Sequence, residues 1–386
     1  MKVALCYDHL NKFGGAERVL MTLHELFPEA PLYSAVVDNQ QATWASEFRV
    51  RSSFMQKLPG AAKRHEWYPG IPVFAFESFD FSEFDVVISI TSAEAKGIVT
   101  SPHTLHICYL LTPTRFLWSH YWDYFTRPLL RKLSLPLVSL LRVWDGFAAA
   151  RPDRYIAISK TIQQRIWKYY RRKSTVIYPP VDVNKFKIPA FAKALAGKQN
   201  SIRSASSGQE LKIKKESYFL IVSRLVAYKH IEIAIKACND LQLPLKIVGI
   251  GAEFKSLKAI AGRTIEFMGE VTDEELVTLY QNCSAFIAPQ EEDFGISMVE
   301  ALSCGRPVIA YQSGAASELI TPHITGELFY PQSPEALAKI LRKFAASQYN
   351  NRLCRESAGR FSAMQFKRNF LNYIEKEWKQ FRQTVS

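Results

Sequence analysis

Short β-like runs alternate with amphipathic helical runs along almost the whole chain, and that alternation leaves little freedom in fold class. A strand that feeds a helix and then another strand closes as a parallel sheet covered on both faces. The run KVALCY passes through a loop with Gly14 and Gly15 into a helix with Val19, Leu20, Leu23 and Leu26 on one face. Further strands are predicted at Pro31 to Val37, Asp85 to Ile90, Leu105 to Leu110 and Arg154 to Ile158, the last leading into a helix from Ser159. STVIYPPVDVNKF reads as one more strand, which ends in Pro179 and Pro180 and enters a stiff connector.

After KALAGKQNSIRSASSGQELKIKKES, the one linker-like segment, the alternation starts afresh. It runs through YFLIVSRL, a helix from His230, LKIVGIG, a helix, IEFMGEV, the helix TDEELVTLY and AFIAP. Thr272 and Glu275 form a capping box at the start of TDEELVTLY. The chain of 386 residues therefore divides into a first Rossmann-like domain at 1–178, a linker at 179–215 and a second domain at 216–361. A final helix at 362–386 carries Phe366, Phe370, Ile374 and Trp378 at fourfold spacing, a one-sided pattern expected to dock across the junction of the two domains.

The stretch with most chemistry is PQEEDFGISMVEALSCGRPVIAYQ, where Glu292 and Glu300 stand on either side of a turn containing Phe294 and Gly295. It reads as a strand-loop-helix-strand unit whose helix is stopped by Gly305 and Pro307. The unpaired N–H groups at such a helix start favour an anion such as a diphosphate. A carboxylate beside that anion would be repelled, so a ligand role for Glu300 points at neutral hydroxyls, such as those of a ribose. The ordinary alternative is that Ser297 and Glu300 form a capping box.

With 48% hydrophobic and 22% charged residues, the composition excludes a disordered chain. The most apolar run, Leu133 to Leu141, is short and broken by Pro136, and Lys2 leads straight into a β-like run with no secretory leader, so a cytoplasmic location is expected. Six scattered cysteines without a C-x-x-C pair predict buried thiols rather than disulfides or a zinc site. A net charge of +13 leaves nucleic acid, an anionic membrane face or an anionic substrate as partner classes. RPLLRKLSLPLVSLLRVWDGFAAARP mixes Arg127, Arg131, Lys132 and Arg142 with leucines and Trp144, a pattern that suits either an anionic bilayer surface or a half-buried helix with a solvated basic face. Arg165, Lys168, Arg171, Arg172 and Lys173 follow, interleaved with Trp167, Tyr169 and Tyr170, but no nucleic-acid motif accompanies them.

Four segments, CYLLTPTRFLW, PPVDVNKF, SRLVAYKHIEIAIKA and EEDFGISMVEALSCGRPVIA, together with the Gly-Gly loop, resemble the GT-B retaining glycosyltransferases of family 4, most closely bacterial mannosyltransferases of polysaccharide and O-antigen assembly. The resemblance implies two Rossmann-like, doubly wound parallel-sheet domains facing a cleft, with the nucleotide sugar in the second. It implies that Ser223, Arg224 and Lys229 neutralise the donor diphosphate without a metal, and no Asp-x-Asp pair occurs in the chain. By the same resemblance Glu292 contacts the transferred sugar, with backbone N–H groups of Phe294, Gly295 and Ile296 around the sugar and diphosphate. Glu300 then takes the ribose, the loop Gly269 to Val271 takes the base, and Gly14 and Gly15 close on the diphosphate. The implied reaction moves a hexose, mannose from GDP-mannose, onto a glycan or a polyprenyl-diphosphate-linked acceptor, in peripheral contact with an anionic membrane. One departure stands out: Leu111 occupies the place where relatives carry the His of His-Thr-Pro, with His103, His106, Asp8 and Arg115 as substitutes among which the residues do not choose. A milder departure is Ala315, beside Gly314, where relatives keep a second glycine. The alternative function is a non-catalytic sugar-nucleotide-binding or scaffolding partner of a transferase.

Overall fold

The computed structural model describes residues 1–119, 121–124, 127–186 and 218–385. Most of the expected linker, from 187 onward, lies outside the described residues. The chain divides into two units, Met1–Pro180 with Ala363–Ser386, and Val181–Ser362. Each is built on one parallel sheet.

Unit 1 contains β1 (Val3–Tyr7), β2 (Leu32–Ser34), β3 (Val50–Ser52), β4 (Val86–Thr91), β5 (Leu105–Leu110), β6 (Arg154–Ala157) and β7 (Thr175–Val176), in the order β3-β2-β1-β4-β5-β6-β7. β1, β4 and β5 are buried along their whole length because helices cover both faces, which is why they read as continuous apolar runs. β3 carries no comparable signal: it is an edge strand of three residues with Arg51 at its centre, held by pairing with β2 rather than by burial. The expected strand from Pro31 to Val37 contracts to β2, where the hydroxyl of Ser34 turns instead to the carbonyls of Asp8 and Val36.

The terminal helix Ala363–Val385 belongs to this unit. Its Phe366, Phe370 and Ile374 are buried, with Tyr109 of β5 edge-on to Phe366 at 6.0 Å between centroids. Glu377 accepts from Arg154 Nε at 2.5 Å, and Lys367 pairs with Glu25. Deeper in the unit, Lys96 and Asp145 form a fully buried ion pair at 2.6 Å. The remaining valences of Asp145 are filled by Thr114, Trp118 and Tyr170, which is the condition for tolerating such a pair away from water.

Unit 2 contains β8 (Phe219–Val222), β9 (Leu245–Val248), β10 (Ile265–Gly269), β11 (Ala285–Ala288), β12 (Val308–Tyr311) and β13 (Gly326–Phe329), in the order β10-β9-β8-β11-β12-β13. Ile221, Ile247, Ile287 and Ile309 from its central strands meet Ile231, Ala234 and Ile235 of helix Ile231–Asp240 in one core, with Leu337 and Leu341 of helix Pro334–Lys343. The Thr272–Glu275 capping box forms as the residues predict. The six cysteines are free and buried, and burial pushes thiols such as Cys108 and Cys283 up to about 12.

In both sheets the strand order reverses once, between β1 and β4 in unit 1 and between β8 and β11 in unit 2. The loops leaving the carboxyl ends of those strands diverge there, the usual ligand position of doubly wound folds.

Phe370→Ala is expected to cost about 3–5 kcal/mol in urea unfolding, because the cavity opens under a fully buried ring. A second expectation concerns Glu94, whose carboxyl is raised to about 7, first by burial and then by the neighbouring charge of Asp8. Between about pH 4.5 and 7 the folded state holds a proton that the unfolded chain has released, so this group lowers stability as pH rises through that window. Glu94→Gln should therefore gain stability over the wild-type chain as pH is raised from 4 to 8. Melting temperatures of both proteins across that range check it; a constant difference refutes it.

Candidate active site

β8 ends at Val222 and is followed by Ser223 and Arg224, the start of the run SRLVAYK. This loop is pinned by backbone bonds to the loop after β9: Ser223 N donates to Val248 O at 3.0 Å, Leu225 N to Ile250 O at 2.9 Å, and Glu253 N to Leu225 O at 2.9 Å. A Cβ on Gly251 would fall 2.2 Å from the carbonyl oxygen of Leu225, so the two loops touch only because that position is glycine. Gly249 and Gly251 are thus site-shaping residues that the sequence reading passed over. Their signal was present, two glycines directly after a strand.

Arg224 is exposed and its guanidinium donates to the hydroxyl of Tyr228 at 2.5 Å. The chain then makes one 3-10 turn, Ala227–Lys229, and a left-handed His230 (φ 49°) redirects it into helix Ile231–Asp240. That turn aims Lys229 at the other side of the strand-order reversal, where its Nζ meets Glu292 Oε1 at 2.5 Å. The two side chains are 13% and 20% exposed, so the pair sits in partial shelter rather than in bulk water. Gln290 Nε2 donates to the same carboxylate oxygen at 2.7 Å.

Glu292 is fixed from behind. Its carbonyl accepts Ala315 N at 2.8 Å, and its backbone bridges to Gly314. Three residues on, Gly295 takes a left-handed conformation (φ 92°) and caps helix Ile296–Ser303 without any side-chain acceptor. The helix ends as Gly305 and Pro307 predict: Gly305 N donates to Leu302 O and Arg306 N to Ala301 O, a Schellman closure.

The Ser297–Glu300 capping box does not form. Ser297 lies inside the helix, one residue past its first position, because the glycine turn starts the helix earlier than the hydroxyl signal implied. Glu300 is instead 3% exposed, and its Oε2 accepts the hydroxyl of Tyr280 at 2.9 Å. Burial pushes the Tyr280 phenol well above its ordinary range, so it remains a neutral donor. Tyr280, within the helix Asp273–Asn282, is the partner that sequence reasoning missed.

Phe294 is buried, edge-on to Phe361 at 5.4 Å between centroids, so only its backbone is available to a ligand. Gly269 closes β10, where its carbonyl accepts Gly249 N at 2.8 Å, and Val271 lies just before the Thr272 cap. Ser223, Arg224, Lys229, Gly269, Val271, Glu292, Phe294, Gly295, Ile296 and Glu300 thus all follow carboxyl ends of strands of the unit 2 sheet.

Gly14 and Gly15 lie in unit 1, at the cap and first residue of helix Gly15–Leu26 after β1. Leu111 follows β5, its N–H bound to Thr91 O at 2.8 Å. The Asp8 carboxylate is committed to its own turn, accepting from Thr91 Oγ1, Ser92 N and Ala95 N at 2.6, 2.8 and 3.0 Å. His106 lies inside β5, fully buried against Ser89, and burial holds its pKa near 3. It is a packed neutral imidazole. No group of three or more His, Cys, Asp or Glu side chains able to hold a metal occurs among the described residues.

The family model for "Glycosyl transferases group 1" matches residues 203–360. The chain is 30% identical over 233 residues to D-rhamnosyltransferase WbpZ of Pseudomonas aeruginosa, covering 57% of this chain and 55% of that one. It is 26% identical over 245 residues to the O-antigen chain mannosyltransferase C of Escherichia coli, covering 61% of each. The match therefore spans little more than half the length of these curated relatives. Among solved structures, Anabaena HepE in complex with UDP superposes with a TM-score of 0.70 at 18% identity, covering 97% of this chain and 100% of that one, which establishes the shared fold. Residues 203–360 are thus similar to group 1 glycosyl transferases, in a chain whose two parallel sheets share the fold of HepE.

Proposed function

We propose that the chain is a metal-independent retaining glycosyltransferase that moves a hexose, mannose from GDP-mannose, onto a glycan or lipid-linked acceptor at a membrane surface. The observation that carries this reading is the Lys229–Glu292 pair, with Arg224 and the buried Glu300 on segments that follow carboxyl ends of strands of the same sheet, in the stretch similar to group 1 glycosyl transferases. The likeness to an O-antigen mannosyltransferase supports the choice of sugar and acceptor class.

A leaving nucleoside diphosphate gains negative charge as the bond to the sugar breaks. Two cations already in place stabilise that charge without reorganising, and Arg224 and Lys229 fill this role. Before donor binds, Lys229 is neutralised by Glu292. A diphosphate drawing on Lys229 leaves the Glu292 carboxylate to accept hydroxyls of the transferred sugar. The N–H groups from Phe294 to Ile296 add the positive end of the helix they start. Glu300 is held by Tyr280 on one oxygen and accepts ribose hydroxyls. In a front-face retaining reaction the acceptor O–H attacks the anomeric carbon from the side the phosphate leaves, and the departing phosphate oxygen takes the proton. The missing histidine at Leu111 therefore removes no obligatory proton acceptor. Leu111 does favour a second reading, a chain that binds the sugar nucleotide and transfers nothing.

Purified protein incubated with GDP-mannose and other sugar nucleotides should show slow donor hydrolysis that a chelator does not change. Binding with no turnover in any acceptor extract establishes the second reading, and no binding of any donor sinks both. Glu300→Gln should lower kcat/KM for donor by roughly tenfold to a hundredfold, the worth of one charge-assisted hydrogen bond. Lys229→Ala should reduce turnover more than donor affinity, since its main partner is the charge of the departing diphosphate; a change confined to KM would show that it binds ground state and transition state alike.

A further inference from the structure

The helix Pro128–Ala148 is attached to unit 1 along one side only. On that side Val138 packs with Leu117 and Tyr121 and Asp145 joins Lys96, while the indole of Trp144 crowds Gly97 so closely that a Cβ there would lie 2.7 Å away. On the other side Leu129, Leu133, Leu137, Leu140, Val143 and Phe147 are 42–70% exposed. Their spacing of three and four residues sets all six on one stripe about 27 Å long at 1.5 Å per residue. Single exposed leucines are ordinary, but six in register on one helix form the kind of continuous apolar face that water-soluble surfaces avoid. Trp122 is exposed as well, 4.4 Å from the guanidinium of Arg131.

Charge is concentrated in the same place. Residues 115–173 hold 13 basic and 3 acidic side chains, a net +10 of the chain's +13. Asp145 is neutralised inside the fold and Asp153 is spent on the backbone N–H of His106, while Arg127, at the N-cap of the stripe helix, and Lys132, in its first turns, stand exposed. The helix Lys160–Tyr170 shares the same anchor, with Tyr169 stacked on Trp118 and Tyr170 bonded to Asp145, and presents Trp167, Lys168 and Arg171 to solvent. No helix of the described residues is long and apolar enough to cross a membrane. An apolar stripe flanked by cations on a helix of this kind lies in the plane of an interface, with the hydrocarbon face a few ångströms below the headgroups. A second copy of the chain is the poorer occupant, because pairing the stripes would bring two strongly basic surfaces together.

We propose that helix Pro128–Ala148 is a docking face that seats unit 1 on an anionic lipid bilayer, its six apolar side chains entering the acyl boundary and Arg127 and Lys132 holding acidic headgroups. The inference does not depend on the donor-site reading, since it rests on residues that none of the donor contacts uses.

Co-sedimentation of the whole protein with vesicles of phosphatidylcholine alone, and of phosphatidylcholine mixed with phosphatidylglycerol, tests it without any sugar nucleotide present. Binding is expected only to the anionic vesicles and should weaken as salt is raised. Leu133→Glu with Leu140→Glu should abolish it, while circular dichroism and donor hydrolysis in solution stay as in the wild type. Arg127→Gln with Lys132→Gln should lower it roughly thirtyfold, at about 1 kcal/mol per charge near the surface. Equal binding to both vesicle types, or no loss in the leucine variant, overturns the proposal. So does a dimer in sedimentation equilibrium that the leucine variant converts to monomer, because the stripe is then an interface between copies. Donor hydrolysis is read on the same preparations, so failure of the docking face and failure of the transferase reading give separate results.

Discussion

In a parallel sheet every strand runs the same way, so every loop that enters a helix leaves from one edge. The rest of this molecule depends on that constraint. It gathers residues far apart in sequence, Ser223 and Arg224 after β8, Gly249 and Gly251 after β9, and Gln290 and Glu292 after β11, onto one rim of unit 2. The reversal of strand order between β8 and β11 then separates two of those loops enough for Lys229 to reach across to Glu292.

What the rim can do follows from electrostatics at partial burial. A lysine and a glutamate 2.5 Å apart and mostly sheltered neutralise each other without the full desolvation cost of a dry interior. Such a pair can be opened by a ligand that brings its own anion and its own hydroxyls. The Lys96–Asp145 pair of unit 1 is the contrast: fully buried, with every oxygen of Asp145 filled by a protein donor, it has nothing left to offer a ligand and serves to hold helix Pro128–Ala148 in place. Two lysine-carboxylate pairs thus differ in role because one has unfilled valences near solvent and the other has none.

Much of the fold could be read from residues. Continuous apolar runs marked β1, β4, β5, β8 and β11, since strands covered on both faces need apolar side chains at every position. β3 and β13 escaped because an edge strand is selected by its neighbour's hydrogen bonds rather than by its own side chains, as Arg51 and Gly326 illustrate. In the site stretch, the turn at Gly295 and the stop at Gly305 were legible, but the role of Ser297 was not. Local chemistry offered a cap, and the backbone conformation of Gly295, supported by the Glu292–Gly314 bridge, set the helix start ahead of it.

From sequence alone came the parallel-sheet class, the division into two halves, the helix stops and the identity of the charged residues around Glu292, because each is recorded in local periodicity or in residue type. Tertiary structure alone decided how those charges are spent: that Lys229 pairs with Glu292, that Glu300 answers to Tyr280, that Asp8 and His106 are consumed by the fold, and that one face of helix Pro128–Ala148 is left uncovered. Partners and burial are properties of distance in space, and a residue's neighbours across a sheet or helix are set by packing that no local pattern encodes.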